Sequence, residues 1–425
     1  MSNNGRRSYV IVGNGNAGTN AAEALRKSDQ DARIVLIGNE PYPLYNRVSL
    51  PPYLKKKVPQ AKVIMRTVEQ HAQKNIELHL STRASVDIAQ REVHCDTGQT
   101  FAYDALLLAV GGTPNPLRVP GADVPGVCCF QTLDDTDDIL GHAASAKNAV
   151  VFGGSYIAYE LAEGLATHGI PVAWVMRGPR FLRQILDDAG GRLVEGLAAA
   201  QGVKMIFGDE PAGVLSEGGR VTAACTRGGQ RLAADIVASG LGLNLNTGVC
   251  EGTSIRVNRG IVTDEYLETN VPGVFSAGDC AEFYDAERDT YCTLGTWDSA
   301  GLQGRLVARN MAVPREERQP FTHGSLYTST LFASRITVFG TTPADDPTLE
   351  AVVECDAAAC WYKRLFFRGR LLVGGALIGD AARARAPLMH LIRRRQEIEP
   401  AGRSRLLDGD AAANLANELE PAQAV

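Results

Sequence analysis

Three glycines open the chemistry of this chain. Gly13, Gly15 and Gly18 stand in GxGxxG spacing directly after a short apolar run. In such a turn the first glycine permits the bend. The second lets backbone approach a pyrophosphate, and the third lets helix and strand pack closely. Backbone N–H groups at the following helix start then face the phosphate charge. Asn16 and Ala17 complete the turn and are expected to touch the same ligand. Glu40 follows about 20 residues later, where a carboxylate suits ribose hydroxyls. Asn39 could take that part, and Glu40 could equally be a solvated loop acid.

The same chemistry recurs at Gly153-Gly154-Ser155-Tyr156-Ile157-Ala158, with Glu160 just beyond. Here Ser155 and Ala158 replace the second and third glycines, which tightens the turn but still leaves small side chains. No acid follows the next strand. Arg177, Arg180 and Arg183 do. Arginines suit a 2′-phosphate where a carboxylate would suit a free hydroxyl, so this turn favours NADPH over NADH. Loop arginines carrying only solvated charge are the alternative. Two buried runs end in glycines in a matching way, Ala109 to Gly111 and the stretch closing at Gly240. A third ends in Gly278-Asp279, which sets an acid beside a helix start. Arg47 lies in a loop rich in proline and aromatic residues, as a cation beside a cofactor or a plain surface arginine.

The elements that must position these residues follow from periodicity. Residues 8–12 and 33–37 read as buried strands around a helix at 19–27. Residues 40–54 read as an ordered loop, because Pro41, Pro43, Pro51 and Pro52 interrupt any regular element. A helix and short strands fill 61–104, with a hairpin turning at Asp96-Thr97-Gly98. The strand 104–110 runs into the glycines at 111 and 112. A second strand–turn–helix–strand unit spans 148–176, with buried strands again near 234–242 and 270–280 and a helix at 297–310. The C-terminal part differs: alternating strands at 334–340, 351–354, 359–367 and 371–378, then a helix at 386–396 and a polar, Ala-rich end. The expected organisation is α/β, with two Rossmann-like, three-layer ββα nucleotide-binding domains and a C-terminal α+β interface domain. Its segments are 1–112 and 245–325 for the first domain, 113–244 for the second, 326–400 for the third and 401–425 for a flexible tail.

The chain has 425 residues, enough for two or three domains, and a net charge of −5. A mildly acidic chain carries no footprint of a nucleic-acid binder. No apolar run reaches the length of a membrane span, and the polar first residues resemble no secretion signal, so the cytoplasm is the expected compartment. Nine cysteines include no CxxC pair, which suggests neither a zinc ribbon nor a thioredoxin-type couple. Cys128-Cys129 is unusual and reads as two thiols on opposite faces of a strand. No metal ligands are evident.

Two dinucleotide turns, the Ala109-Val110-Gly111-Gly112-Thr113-Pro114 stretch and Ala277-Gly278-Asp279 together resemble the FAD- and pyridine-nucleotide-dependent oxidoreductases of the glutathione-reductase fold. Tyr45-Asn46-Arg47 and Gly295-Thr296-Trp297 resemble the branch of ferredoxin reductases, rubredoxin reductases and nitrite reductase flavoproteins. The resemblance implies that FAD lies on the first turn, touched by Gly13, Gly15, Asn16, Ala17, Gly18, Asn39, Glu40, Arg47, Ala109, Gly111, Gly278, Asp279 and Trp297. It implies that NADPH lies on the second, touched by Gly153, Gly154, Ser155, Tyr156, Ile157, Glu160, Arg177, Arg183 and Gly240. Arg47, Glu160 and Trp297 are then the catalytic candidates.

The redox-active CxxxxC of disulfide reductases is missing, and Val48 stands about where a single flavin-side cysteine would be. Electrons would therefore leave for a separate carrier, such as a ferredoxin or rubredoxin holding its own iron. The alternatives are a flavoprotein subunit of a larger redox complex with a weak or lost nicotinamide site, and an NAD(P)H oxidase or small-molecule reductase. A monomer or homodimer is expected, with no nucleic-acid or membrane partner.

Overall fold

The computed structural model describes residues 6–322 and 324–407. They form two compact units, 6–113 with 243–322 and 114–242 with 324–407. The C-terminal strands, expected as a domain apart, thus cluster with the second nucleotide segment.

In the first unit Ser8–Val12 sits between Arg33–Ile37 and Ala105–Leu108 in a five-stranded sheet, with Ile76–His79 at one edge and Val274–Ser276 at the other. Its central pairings are parallel. The strands are apolar throughout because both faces are covered. Tyr9, Ile11, Ile34, Leu36, Leu107 and Phe275 pack toward one core with Ala17, Ala21, Leu25, Val307 and Met311, which come from the helices Asn16–Ser28 and Trp297–Ala312. The alternate residues Val10, Val12, Val35, Ile37, Leu106 and Leu108 meet Val93, Cys95 and Phe101 from a small antiparallel sheet. That is the three-layer arrangement. Glu92–Cys95 and Thr100–Ala102 form the expected hairpin. The loop after Arg33–Ile37 contains two short helices, Arg47–Ser49 and Leu50–Leu54. Pro51 and Pro52 sit in the first turn of the latter, where no amide donor is missed.

In the second unit Ala149–Phe152 is central to a parallel sheet with Val172–Met176, Val203–Phe207, Ile236–Ser239 and Val127–Cys128. Val150, Phe152, Val175 and Val237 pack on Val214, Val221 and Ala224 of an antiparallel sheet, repeating the layer plan. The helix Asp188–Ala199 is not apparent from the sequence, because Gly190, Gly191 and Gly196 depress helix propensity. Packing requires one of them: a Cβ on Gly190 would come within 2.9 Å of the Tyr362 ring. Asp187 starts that helix by accepting from the Gly190 N–H at 3.0 Å.

The C-terminal sheet is antiparallel, in the order Leu326–Leu331, Ser334–Gly340, Leu371–Ile378, Trp361–Arg368, Glu350–Asp356, with the helix Arg385–Arg394 on its core side. Residues 401–407, expected in a flexible tail, instead belong to helical turns, Pro400–Leu407, that bury Leu406. Arg403 holds them through Glu350 at 2.6 Å and lies over the Phe367 ring. The rest of the expected tail lies outside the described residues.

Candidate functional site

In the first unit Gly13 adopts φ +111°, and a Cβ there would lie 2.1 Å from the Ala109 carbonyl oxygen. Gly18 is equally constrained, since its Cβ would meet the Gly13 oxygen at 1.8 Å. These glycines are the hinge and the helix–strand contact. Gly15 differs: a Cβ added there meets nothing within 4 Å. It is the N-cap of the helix Asn16–Ser28, and no side chain caps that terminus. The first turn of the helix thus presents backbone donors toward open space beside a residue with no side chain, which fits a pyrophosphate.

The Trp297–Ala312 helix starts beside this turn, with the Trp297 carbonyl accepting from Asn16 Nδ2 at 2.5 Å. Gly278, at φ +83°, donates its N–H to Gln303 Oε1 at 2.7 Å and packs close to Ala17. Gly111 is left-handed at φ +62° and opens onto free space, while Ala109 is buried. Glu40 does not stand apart as a loop acid. It accepts from the Tyr45 hydroxyl at 2.6 Å and is ion-paired with Arg47. Asn39 beside it is exposed. Burial works against the Arg47 charge, but Tyr45, Glu40 and Asp279 outweigh it and raise the guanidinium pKa. Burial raises the Asp279 carboxyl, and Arg47 opposes that shift. A cation flanked by two acids therefore lies in the same unit as the open glycine turn.

In the second unit Gly153 has φ +125° and would clash with the Gly240 oxygen if it carried a Cβ. Gly240 has no room for one either, with the Ala158 nitrogen 2.5 Å from that position. Gly154 is exposed and tolerant, its nearest neighbour being Met176. Ser155 does what no residue does at Gly15. Its hydroxyl accepts from the Ala158 N–H at 3.3 Å and donates to the Gly240 carbonyl at 2.7 Å, closing the helix Tyr156–Thr167. Ile157 is half-buried in the first turn.

Glu160 is buried and accepts from Tyr327 Oη at 2.9 Å and Ser329 Oγ at 3.3 Å. Tyr327 also shares a hydrogen bond with Tyr159 and stacks on Tyr156, with ring centroids 3.8 Å apart. Burial, then the Glu160 charge, pushes the Tyr327 phenol well above its ordinary range, so it remains a donor. Tyr327 and Ser329 were not visible as site residues. Their strand, Leu326–Leu331, is mostly polar and lies far from Glu160 in the sequence.

The arginines separate. Arg177 follows the strand Val172–Met176, is 73% exposed, and lies 3.6 Å from Glu210, which Arg227 also faces at 3.5 Å. Arg183 is exposed and folds over Gly178. Arg180 is ion-paired with Asp188.

Residues 7–304 match the family model described as pyridine nucleotide-disulphide oxidoreductase. The chain belongs to this family. This oxidoreductase is 30% identical over 336 residues to putidaredoxin reductase of Pseudomonas putida, covering 76% of the chain and 79% of the relative. It is 28% identical over 406 residues to the nitrite reductase [NAD(P)H] of Bacillus subtilis, covering 95% of the chain. The chain spans only about half the length of that relative, 49%. A ferredoxin reductase from Rhodopseudomonas palustris has the same fold, with a TM-score of 0.89, 24% identity, and coverage of 97% of this chain and 100% of its own. The family is FAD-dependent and works with NAD(P)H. No helix among the described residues is long and apolar enough to cross a membrane.

Proposed function

We propose that the chain is an FAD-dependent NAD(P)H oxidoreductase that passes electrons from NADPH, or less readily NADH, to a separate carrier of the ferredoxin or rubredoxin type. The observation that carries this reading is the uncapped helix start at Gly15, facing open space, in a chain that repeats the same turn at Gly153. When bound, FAD supplies the change from two-electron to one-electron chemistry.

The protein supplies position and charge. Gly13, Gly15 and Gly18 bring backbone donors to the pyrophosphate. Arg47, held by Glu40, offsets negative charge beside the flavin, and Asp279 takes ribityl-type hydroxyls. Glu160, fixed by Tyr327 and Ser329, orients a carboxamide. Arg177 and Arg183 receive a 2′-phosphate. The Arg177–Glu210 contact is an exposed pair worth about 0–1 kcal/mol, so a phosphate dianion displaces it at little cost. No cysteine stands at 40–55 to take electrons internally, which supports delivery to an outside carrier.

The test is an anaerobic titration of the purified yellow protein. NADPH should bleach the flavin band at about one equivalent. The reduced protein should then reoxidise faster with an oxidised ferredoxin or rubredoxin than with air. Rapid reoxidation by air alone would replace the carrier reading with an oxidase. A second reading, a flavoprotein part of a larger redox assembly, draws on the half-length match to the nitrite reductase. A flavin band that NADPH and NADH both leave unbleached would favour it.

A further inference from the structure

The flavin chemistry leaves Cys128 unused. This residue ends the short strand Val127–Cys128, at the edge of the second unit's parallel sheet. It is 5% exposed, and its sulfur lies 3.6 Å from Asp138 Oδ2. Asp138 and His142 are four residues apart on the helix Leu133–Ala143, so both point to one side of it. His142 Nε2 is 3.5 Å from Asp138 Oδ1. One thiol, one imidazole and one carboxylate thus offer donor atoms all within 4.8 Å of one another. The geometry points to a zinc-type divalent cation site formed by Cys128, Asp138 and His142.

The distances fit that cation. Zinc bonds of about 2.3 Å to sulfur and 2.0–2.2 Å to nitrogen or oxygen, set tetrahedrally, place neighbouring donors about 3.3–3.6 Å apart. The Cys128 sulfur lies 3.6 Å from Asp138 Oδ2 and His142 Nε2 lies 3.5 Å from Asp138 Oδ1, so these two pairs fall near that range through the two oxygens of one carboxylate. Rotation of the His142 ring on its helix can close the third. A thiolate, a carboxylate and a neutral imidazole carry two negative charges, which a divalent ion neutralises.

The i,i+4 spacing brings His142 to Asp138, and the end of the Val127–Cys128 strand brings Cys128 to the same carboxylate, so donors from two separate elements converge on one point. Without a cation, burial and the Asp138 carboxylate push the Cys128 thiol far up, so it stays protonated. Binding must therefore expel that proton to solvent as the sulfur–metal bond forms. Three protein donors leave a fourth position open, on the side where Asp138 is 60% exposed. The helix is held in place for this by its own N-terminus. Thr132 accepts from the Asp135 N–H at 3.0 Å, and Asp135 accepts from the Thr132 N–H at 2.9 Å. Cys129 is only half-buried and faces Ser239, which leaves it outside the cluster.

The experiment is a titration of the metal-stripped, flavin-loaded protein with Co²⁺, followed by displacement with Zn²⁺. One equivalent should produce a thiolate-to-cobalt charge-transfer band and d–d bands to the red of the flavin. Zn²⁺ should abolish both. Cys128→Ser should remove the charge-transfer band, and His142→Ala should weaken binding at least tenfold. Asp138→Asn, an exposed change that leaves the fold intact, should also weaken binding, whereas Cys129→Ser should bind as the parent does. Absence of a charge-transfer band in the parent protein would overturn the site, as would equal Co²⁺ affinity in the parent, Asp138→Asn and His142→Ala proteins.

Discussion

Gly15→Ala separates the ligand from the fold. Gly15 has φ −69° and ψ −168°, which any residue adopts, and a Cβ there meets nothing within 4 Å. The flavin-free protein should therefore lose only the small difference between glycine and alanine as an N-cap, about 1 kcal/mol or less. Gly18→Ala is the internal contrast. Its Cβ would sit 1.8 Å from the Gly13 oxygen and 3.1 Å from Ile11, so helix and strand must part. Such overpacking costs about 1–3 kcal/mol or more.

If a pyrophosphate occupies the space above Gly15, the order reverses when flavin is measured. The new methyl group then stands where phosphate approaches backbone, and affinity for FAD should fall by about a hundredfold, or about 2.7 kcal/mol. The assay is denaturant unfolding of stripped protein, followed by FAD titration of the refolded protein. Unchanged apoprotein stability with weakened flavin binding is the expected result. Parent-like FAD affinity in Gly15→Ala would refute the reasoning, because the open space would then not be the ligand's.

Three further outcomes follow from the same geometry. Arg177→Glu should raise KM for NADPH much more than KM for NADH, and equal effects on both would remove the phosphate assignment. Tyr327→Phe deletes a hydrogen bond to a buried carboxylate, worth about 1.5–3 kcal/mol. It should lower kcat/KM for NADPH about 10- to 100-fold while leaving inhibition by 2′,5′-ADP, which lacks nicotinamide, unchanged; a parallel loss of both would mean a general packing defect. Burial opposes ionisation of Glu23, but hydrogen bonds from Arg66 and Lys74 outweigh it and hold its carboxyl at about 2. Its folded pKa is depressed, so its contribution of about 2–3 kcal/mol is complete above the unfolded pKa and is lost as pH falls from about 4.5 to about 2. Urea melts of Glu23→Gln should show the deficit near neutral pH and converge with the parent toward pH 2.

Much of the scaffold was legible because its strands, such as 8–12 and 33–37, are apolar on both faces and run directly into glycines, Gly13 and Gly38. The strands 334–340 and 371–378 could be read as apolar runs set between polar turns such as Arg368-Gly369-Arg370. The helix Asp188–Ala199 could not, because three glycines hide it and only contact with Tyr362 explains one of them. Two nucleotide turns were visible as spacing. The partners of Glu160 were not, since a Tyr and a Ser on a polar strand carry no local signal of a contact some 170 residues away. Arg47 was visible as a cation but not as the partner of Glu40, a pairing that turns two separately assigned residues into one unit.

The two turns are built alike and finished differently, and the difference bears on how each would use its ligand. Both have a first glycine with strongly positive φ, pressed against the end of a neighbouring strand. At the second turn Ser155 satisfies one of the helix-start donors, the Ala158 N–H, and ties that start to Gly240. At the first turn Gly15 supplies no cap, and the helix start stays short of hydrogen bonds that a phosphate can make. A serine cap in place of none is worth about 1 kcal/mol. A ligand on the first turn therefore adds what the fold lacks, and stability becomes linked to occupancy. A ligand on the second adds less, because one donor is already met, and its departure loosens the helix start less. On the proposed reading this is the physical distinction between a flavin that stays and a nicotinamide nucleotide that exchanges, and it comes down to one hydroxyl group.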